Sequence, residues 1–126
     1  MVKDGHAAAR HAIAEQFLIF PELRQYRPES FLGRLDVTSG KVTEWQSPSG
    51  PKSEPYGMVA VNGIIWYNES GAKPNTIVRF DPKTEKFQSW AIPGGGDIVR
   101  NMSVTPDGNP VTANSLVNQV GLVEVK

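Results

Sequence analysis

The sequence predicts an all-β fold assembled from a repeated four-stranded unit of about 45 residues, with a short helix in front. Three observations predict it. From Phe31 onward, short runs of β-branched and aromatic residues alternate with Gly, Pro, Asn and Asp punctuation. The same residue types return at a fixed spacing in strands and turns alike. The composition, 39% hydrophobic and 21% charged over 126 residues, is that of one globular unit rather than a disordered chain.

The elements follow in order. Over 4–20, Asp4 can cap a helix, and Ala9, Ile13, Phe17 and Phe20 fall on one helical face. Pro21 ends that pattern, and Phe17–Phe20 is equally compatible with a strand. Residues 21–30 carry two prolines and read as a connector. Strands are expected at 31–37, 41–46, 57–61, 64–68, 76–81, 86–91, 99–104, 110–114 and 119–125. Thr38-Ser39-Gly40 and Lys83-Thr84-Glu85 separate paired strands, and Asn62-Gly63 and Asp107-Gly108 are turn dipeptides that tolerate positive φ.

Self-comparison gives the period. Leu32-Gly33-Arg34-Leu35-Asp36 matches Ile77-Val78-Arg79-Phe80-Asp81, and Val42-Thr43-Glu44-Trp45 matches Phe87-Gln88-Ser89-Trp90. Pro48 matches Pro93, Met58 matches Met102, Asn62-Gly63 matches Asp107-Gly108, and Val120-Gly121-Leu122-Val123 resembles the opening segment again. Four antiparallel strands in roughly 40–45 residues are the unit of a β-propeller blade. The expected organisation is a helix and connector at 1–30, then a partial blade at 31–47, a full blade at 56–93 and a partial blade at 98–126. The first blade is read as its last two strands only, and the last as its first three.

At this point a resemblance emerges. Pro55-Tyr56-Gly57-Met58, then Gly63-Ile64-Ile65-Trp66-Tyr67-Asn68-Glu69, then Asn75-Thr76-Ile77-Val78-Arg79-Phe80-Asp81-Pro82 is similar to the repeat of the streptogramin B lyase (virginiamycin B lyase) family. The resemblance covers 31–126. It implies a seven-bladed propeller that opens a cyclic peptide lactone by elimination, with a base and a divalent cation, Mg²⁺ in expectation. It also implies that Glu54 and Glu69 stand where the family carries two carboxylates, as candidate metal ligands, and that Tyr56 stands in place of a catalytic histidine. A tyrosine, with an ordinary pKa of about 10, is a poor general base. In the next repeat Arg100-Asn101 replaces the Pro-His segment, and Asn114 falls near the acidic position.

Other chemistry is poorly supplied. With 13 basic and 13 acidic residues, no nucleic-acid or anionic-membrane partner is advertised. The absence of cysteine excludes disulfides, thiolate metal sites and thiol catalysis. No signal-like apolar segment and no membrane-length span is visible, so a cytoplasmic protein is expected. His6 and His11 lie five apart and do not share a helical face. Two oxygen ligands, Glu54 and Glu69, are few for Mg²⁺. Trp45, Trp66 and Trp90 read as core between blades, Arg34 and Arg79 as partners of Asp36 and Asp81, and Gly94-Gly95-Gly96-Asp97 as a loop between blades rather than a phosphate cradle.

The leading expectation is a non-enzymatic, self-assembling scaffold or ligand-binding protein that needs no cofactor. As a homo-oligomer, a dimer or trimer completes a ring of about four or six blades. The alternative is a divalent-metal-dependent carbon–oxygen lyase acting on virginiamycin B-type antibiotics, and a half-propeller docking on another protein is a third class. Residues 31–126 contain no histidine, which discriminates against the lyase. A lone monomer in solution discriminates for the docking module.

Overall fold

The alternation of apolar and polar residues from Phe31 onward produces strands almost where the pattern places them. The computed structural model describes residues 17–19 and 31–126. The strands are β1 (Phe17–Ile19), β2 (Phe31–Leu35), β3 (Val42–Gln46), β4 (Pro55–Val61), β5 (Ile64–Glu69), β6 (Thr76–Asp81), β7 (Lys86–Ala91), β8 (Val99–Val104), β9 (Pro110–Asn114) and β10 (Gln119–Leu122). They form three antiparallel sheets in simple up-and-down order: β1-β2-β3, β4-β5-β6-β7 and β8-β9-β10. No helix among the described residues is long and apolar enough to cross a membrane.

At Phe17–Phe20 the strand alternative holds for the described residues. Phe17–Ile19 is a strand, not the end of a helix, and it pairs antiparallel with β2, Leu18 facing Gly33. The first sheet therefore has three strands rather than two. A free strand edge on β2 offers backbone hydrogen bonds that a helix cannot take up. The rest of the expected helix, 4–16, and Phe20 lie outside the described residues.

Residues 45 apart occupy the same ladder positions. Trp45 pairs with Leu32 as Trp90 pairs with Ile77, and Val42 with Leu35 as Phe87 with Phe80. The first strand of each later sheet carries an irregularity near its start, between Pro55 and Met58 on β4 and between Val99 and Asn101 on β8. Pro55 and Val99, like Met58 and Met102, stand 44 rather than 45 apart, and the longer turn between β8 and β9 restores the offset of 45. The hairpin turns also repeat. Asp36 accepts from the Thr38 N–H at 2.9 Å and Asp81 from the Lys83 N–H at 2.9 Å. Gly40 and Glu85 both take positive φ, 74° and 56°.

These turn bonds correct the pairing expected of the two aspartates. The backbone N–H groups of Ser39 and Thr38 hold the Asp36 carboxyl below its ordinary range, and the charge of Arg34 adds the smallest part. Arg34 instead sets its guanidinium 5.7 Å from the Trp45 ring centroid, and Arg79 donates to Gln88 at 3.3 Å.

Two apolar clusters hold the sheets together. Between the first and second sheets, Leu32 packs with Met58, Ile65, Tyr67, Val78 and Phe80, flanked by Trp45, whose ring lies 4.9 Å from Phe80. Between the second and third, Val59, Val61, Trp66 and Ile77 pack against Ile92 and Val99. The sheets meet most tightly at β4 and β8. A Cβ built on Gly57 would stand 3.1 Å from Met102 and 3.5 Å from the Asn101 backbone, so any larger residue there would press the Met102 side chain aside. Trp66 is buried as expected, but Trp90 is 48% exposed. It stacks on Trp66 at 6.1 Å, but where Phe80 packs on the equivalent Trp45, the residue 45 further on is Val125, itself 49% exposed.

Candidate functional site

Glu69 ends β5, where the chain leaves the ladder and its side chain is carried inward to 0% exposure. A buried carboxylate demands donors, and the preceding connector supplies them. Oε1 accepts from Ser47 Oγ at 2.5 Å and from the Ser49 N–H at 3.0 Å. Oε2 accepts from Ser49 Oγ at 2.5 Å and from Thr76 Oγ1 at 2.6 Å. Ser47 Oγ also shares a 2.7 Å bond with the Tyr67 hydroxyl. Burial pushes the Tyr67 phenol well above its ordinary range. The Ser47 bond opposes that shift and the nearby Glu69 charge adds to it, so Tyr67 stays protonated at any ordinary pH.

The other two sequence-predicted residues are built differently. Pro55 is the ladder partner of Glu69, so Glu54 and Tyr56 flank the residue opposite it. Glu54 is exposed, has φ of 47°, and its carbonyl accepts from the Ser70 N–H at 3.0 Å. Tyr56 is half-buried on β4. The backbone thus brings the three into one neighbourhood, but one carboxylate is enclosed and the other faces solvent. Among the described residues, no group of three or more His, Asp or Glu is placed to share an ion.

Beside Glu69 runs a row of buried amides that sequence reasoning passed over. Asn68 accepts from the Gly57 N–H at 2.7 Å and donates to Ser70 Oγ at 2.7 Å. Asn75 donates to the carbonyls of Ser70 and Ala72. The Asn75 backbone N–H meets the Gly95 carbonyl at 3.1 Å, and the Ile92 N–H returns to the Asn75 carbonyl. The Gly94–Gly96 stretch, all at positive φ, therefore closes the connector onto the 70–75 loop.

The chain contains its own comparison for this network. Forty-five residues after Glu69 stands Asn114, and after Ser47, Ser49 and Thr76 stand Ile92, Gly94 and Gly121. The carboxylate and all three of its hydroxyl donors are absent together. Thr112 takes the place of Tyr67, and the buried Asn114 Oδ1 has no partner. Paired loss is what a hydrogen-bonded unit predicts, since a carboxylate without donors or donors without an acceptor would each be costly. That comparison, of polar sets rather than single residues, is the signal that could have found Ser47, Ser49 and Thr76 in the sequence.

No family model matches this sequence, and no curated protein matches it. Among solved structures, the crystal structure of virginiamycin B lyase from Staphylococcus aureus superimposes with a TM-score of 0.72 at 15% identity. The match covers 90% of this chain and 36% of the lyase, so the chain spans about a third of that protein's length. At that identity the likeness is one of fold: three successive antiparallel sheets, stacked face to face, are blades of a β-propeller similar to those of virginiamycin B lyase.

Proposed function

We propose that this chain is a non-enzymatic β-propeller scaffold that associates with further copies of itself. The observation that carries the reading is the state of Glu69. Both of its oxygens are already taken by four protein donors, so it has no unclaimed lone pair for an ion that needs about six oxygen ligands. Its partner in the lyase-like pattern, Glu54, is exposed, and Tyr56 occupies the histidine position. In this reading Glu69 clamps the 47–49 connector to β5 and β6 and fixes the angle between two blades. No metal and no cofactor is required.

Self-association is supported by the third sheet. β10 is an edge strand, and Val120 is 77% and Leu122 56% exposed. Unpaired edges and exposed apolar side chains favour pairing with another chain. Sedimentation at micromolar concentration should give a dimer or trimer. A stable, well-folded monomer of 13.8 kDa would overturn the association.

The fold likeness to virginiamycin B lyase favours one second reading, a Mg²⁺-dependent carbon–oxygen lyase. Incubation with virginiamycin B and Mg²⁺, followed by mass spectrometry, should return the antibiotic intact. Rapid linearisation that disappears in Glu69→Gln would establish the second reading instead.

A further inference from the structure

Among the differences between the two blade interfaces of this chain, the loss of Tyr67 stands beside a hole. Between the second and third sheets lies a cavity of about 190 Å³, open on one side, lined by Ile77, Trp90, Ile92, Thr112, Gly121 and Val123, among others. Forty-five residues earlier, at the interface of the first and second sheets, the corresponding residues are Leu32, Trp45, Ser47, Tyr67, Thr76 and Val78. There the space is filled: Tyr67 is wholly buried, with its hydroxyl on Ser47. At the second interface Thr112 stands for Tyr67 and Gly121 for Thr76, so a phenol ring and a hydroxyl are missing, and Ile92 stands for Ser47, so the wall that holds the Tyr67 hydroxyl is apolar here.

The walls of the cavity match what was removed. Ile77, Ile92 and Val123 are aliphatic, and Trp90, half-exposed and backed by Trp66, forms a flat aromatic side at the opening. One end is polar. Thr112 brings the only hydroxyl among the lining residues. Asn114, two residues on along β9 and therefore on the same face, lines the neighbouring cavity with Ala113 and Val120 and is buried to 4% exposure with Oδ1 unpartnered. A Cβ added to Gly121 would come 2.5 Å from Thr112 Oγ1 and 4.0 Å from Asn114 Nδ2, which places both side chains at that glycine. An unpartnered buried acceptor costs free energy until something donates to it.

We infer that this cavity is a binding site for a small phenolic ligand, a planar ring carrying one hydroxyl, seated where the Tyr67 side chain sits at the other interface. The ring lies among Ile77, Ile92 and Val123 against the face of Trp90, turned end for end relative to Tyr67. Ile92 stands where Ser47 meets the Tyr67 hydroxyl, so the ligand hydroxyl points to Thr112. The size suits the ligand, since an apolar protein cavity of about 150 Å³ takes up benzene. Binding adds a function to the scaffold and needs the cavity to stay open when copies associate, since Leu122 belongs both to its lining and to the exposed edge.

The test uses the 126-residue chain and p-cresol, which is the tyrosine side chain as a free molecule, with toluene as the analogue lacking the hydroxyl. Titration followed by tryptophan fluorescence and by two-dimensional amide NMR should show saturable binding of one p-cresol per chain. Shifts should be confined to residues around Trp90, Ile92, Thr112 and Val123, and toluene should bind several-fold more weakly. Thr112→Tyr restores the missing ring and should weaken p-cresol at least tenfold. Ile92→Phe fills the cavity from the opposite wall and should do the same, which guards against a misfolded first variant. Binding by a monomer upholds this inference even as it removes the self-association proposed above. Absence of saturable binding at millimolar p-cresol, undiminished binding by both filled variants in their folded state, or a second copy covering Trp90 and excluding the ligand would each overturn it.

Discussion

Glu69→Ala will lower the stability of this chain by about 3–5 kcal/mol, more than most single substitutions. The carboxylate accepts hydrogen bonds from Ser47, Ser49 and Thr76 hydroxyls and from the Ser49 backbone. A hydrogen bond to a charged group contributes about 1.5–3 kcal/mol, and the buried Ser47 hydroxyl left without its acceptor costs about 1–3 kcal/mol more, whereas exposed Ser49 can turn to water. Alanine removes every acceptor at once and leaves a void. Partial re-pairing among the hydroxyls keeps the loss below the sum. Glu69→Gln keeps the shape, and hydroxyls can rotate to accept from its amide, so it should fall between alanine and the parent. Urea denaturation gives the order, and amide exchange gives the location: the Ser49 N–H, bonded to Oε1, should exchange much faster in both variants. Equal stability of all three proteins would mean that Glu69 is not a clamp and would return it to the pool of available ligands.

The polar clamp shows where the sequence stopped being readable. Strand positions, turns and blade period come from local patterns that a single chain carries in full. Alternating side chains and turn dipeptides depend on residues near one another, and the return of Trp45 as Trp90 is found by comparing the chain with itself. The buried polar network does not. Ser47 and Ser49 sit in a connector, Thr76 starts another strand, and nothing local distinguishes them from solvated loop hydroxyls. Glu69 was legible as a position of interest but not as a residue whose lone pairs were already taken. The same limit explains Phe17–Ile19, where pairing with β2, a tertiary event, decides against the helical spacing. Trp90 follows suit: its residue type and ladder place match Trp45, yet the ring of Phe80 that packs on Trp45 has Val125 as its counterpart.

Trp66 and Trp90 should therefore respond very differently to the same truncation. The two rings stack 6.1 Å apart, but Trp66 is 5% exposed and Trp90 48%. Trp66 stands on β5 between Val59 and Arg79 in the ladder, and its ring joins Val61, Ile77, Ile92 and Val99 in the cluster that binds the second sheet to the third. Replacing a large buried aromatic by alanine costs about 3–5 kcal/mol, from lost transfer free energy and from the cavity left behind. Against a total stability of about 5–15 kcal/mol, that is a large fraction. In a chain of this size it corresponds to a fall in melting temperature of more than about 10 °C. Trp90→Ala loses only the buried half of the ring and creates no enclosed void, so it should cost less than about 2 kcal/mol. Thermal unfolding followed by circular dichroism measures both. If Trp66→Ala melts within a degree or two of the parent, the second cluster is not the core that joins these blades. If Trp90→Ala is as damaging as Trp66→Ala, the exposed face of Trp90 is covered in solution, and sedimentation of the parent and the variant would then show which copy covers it.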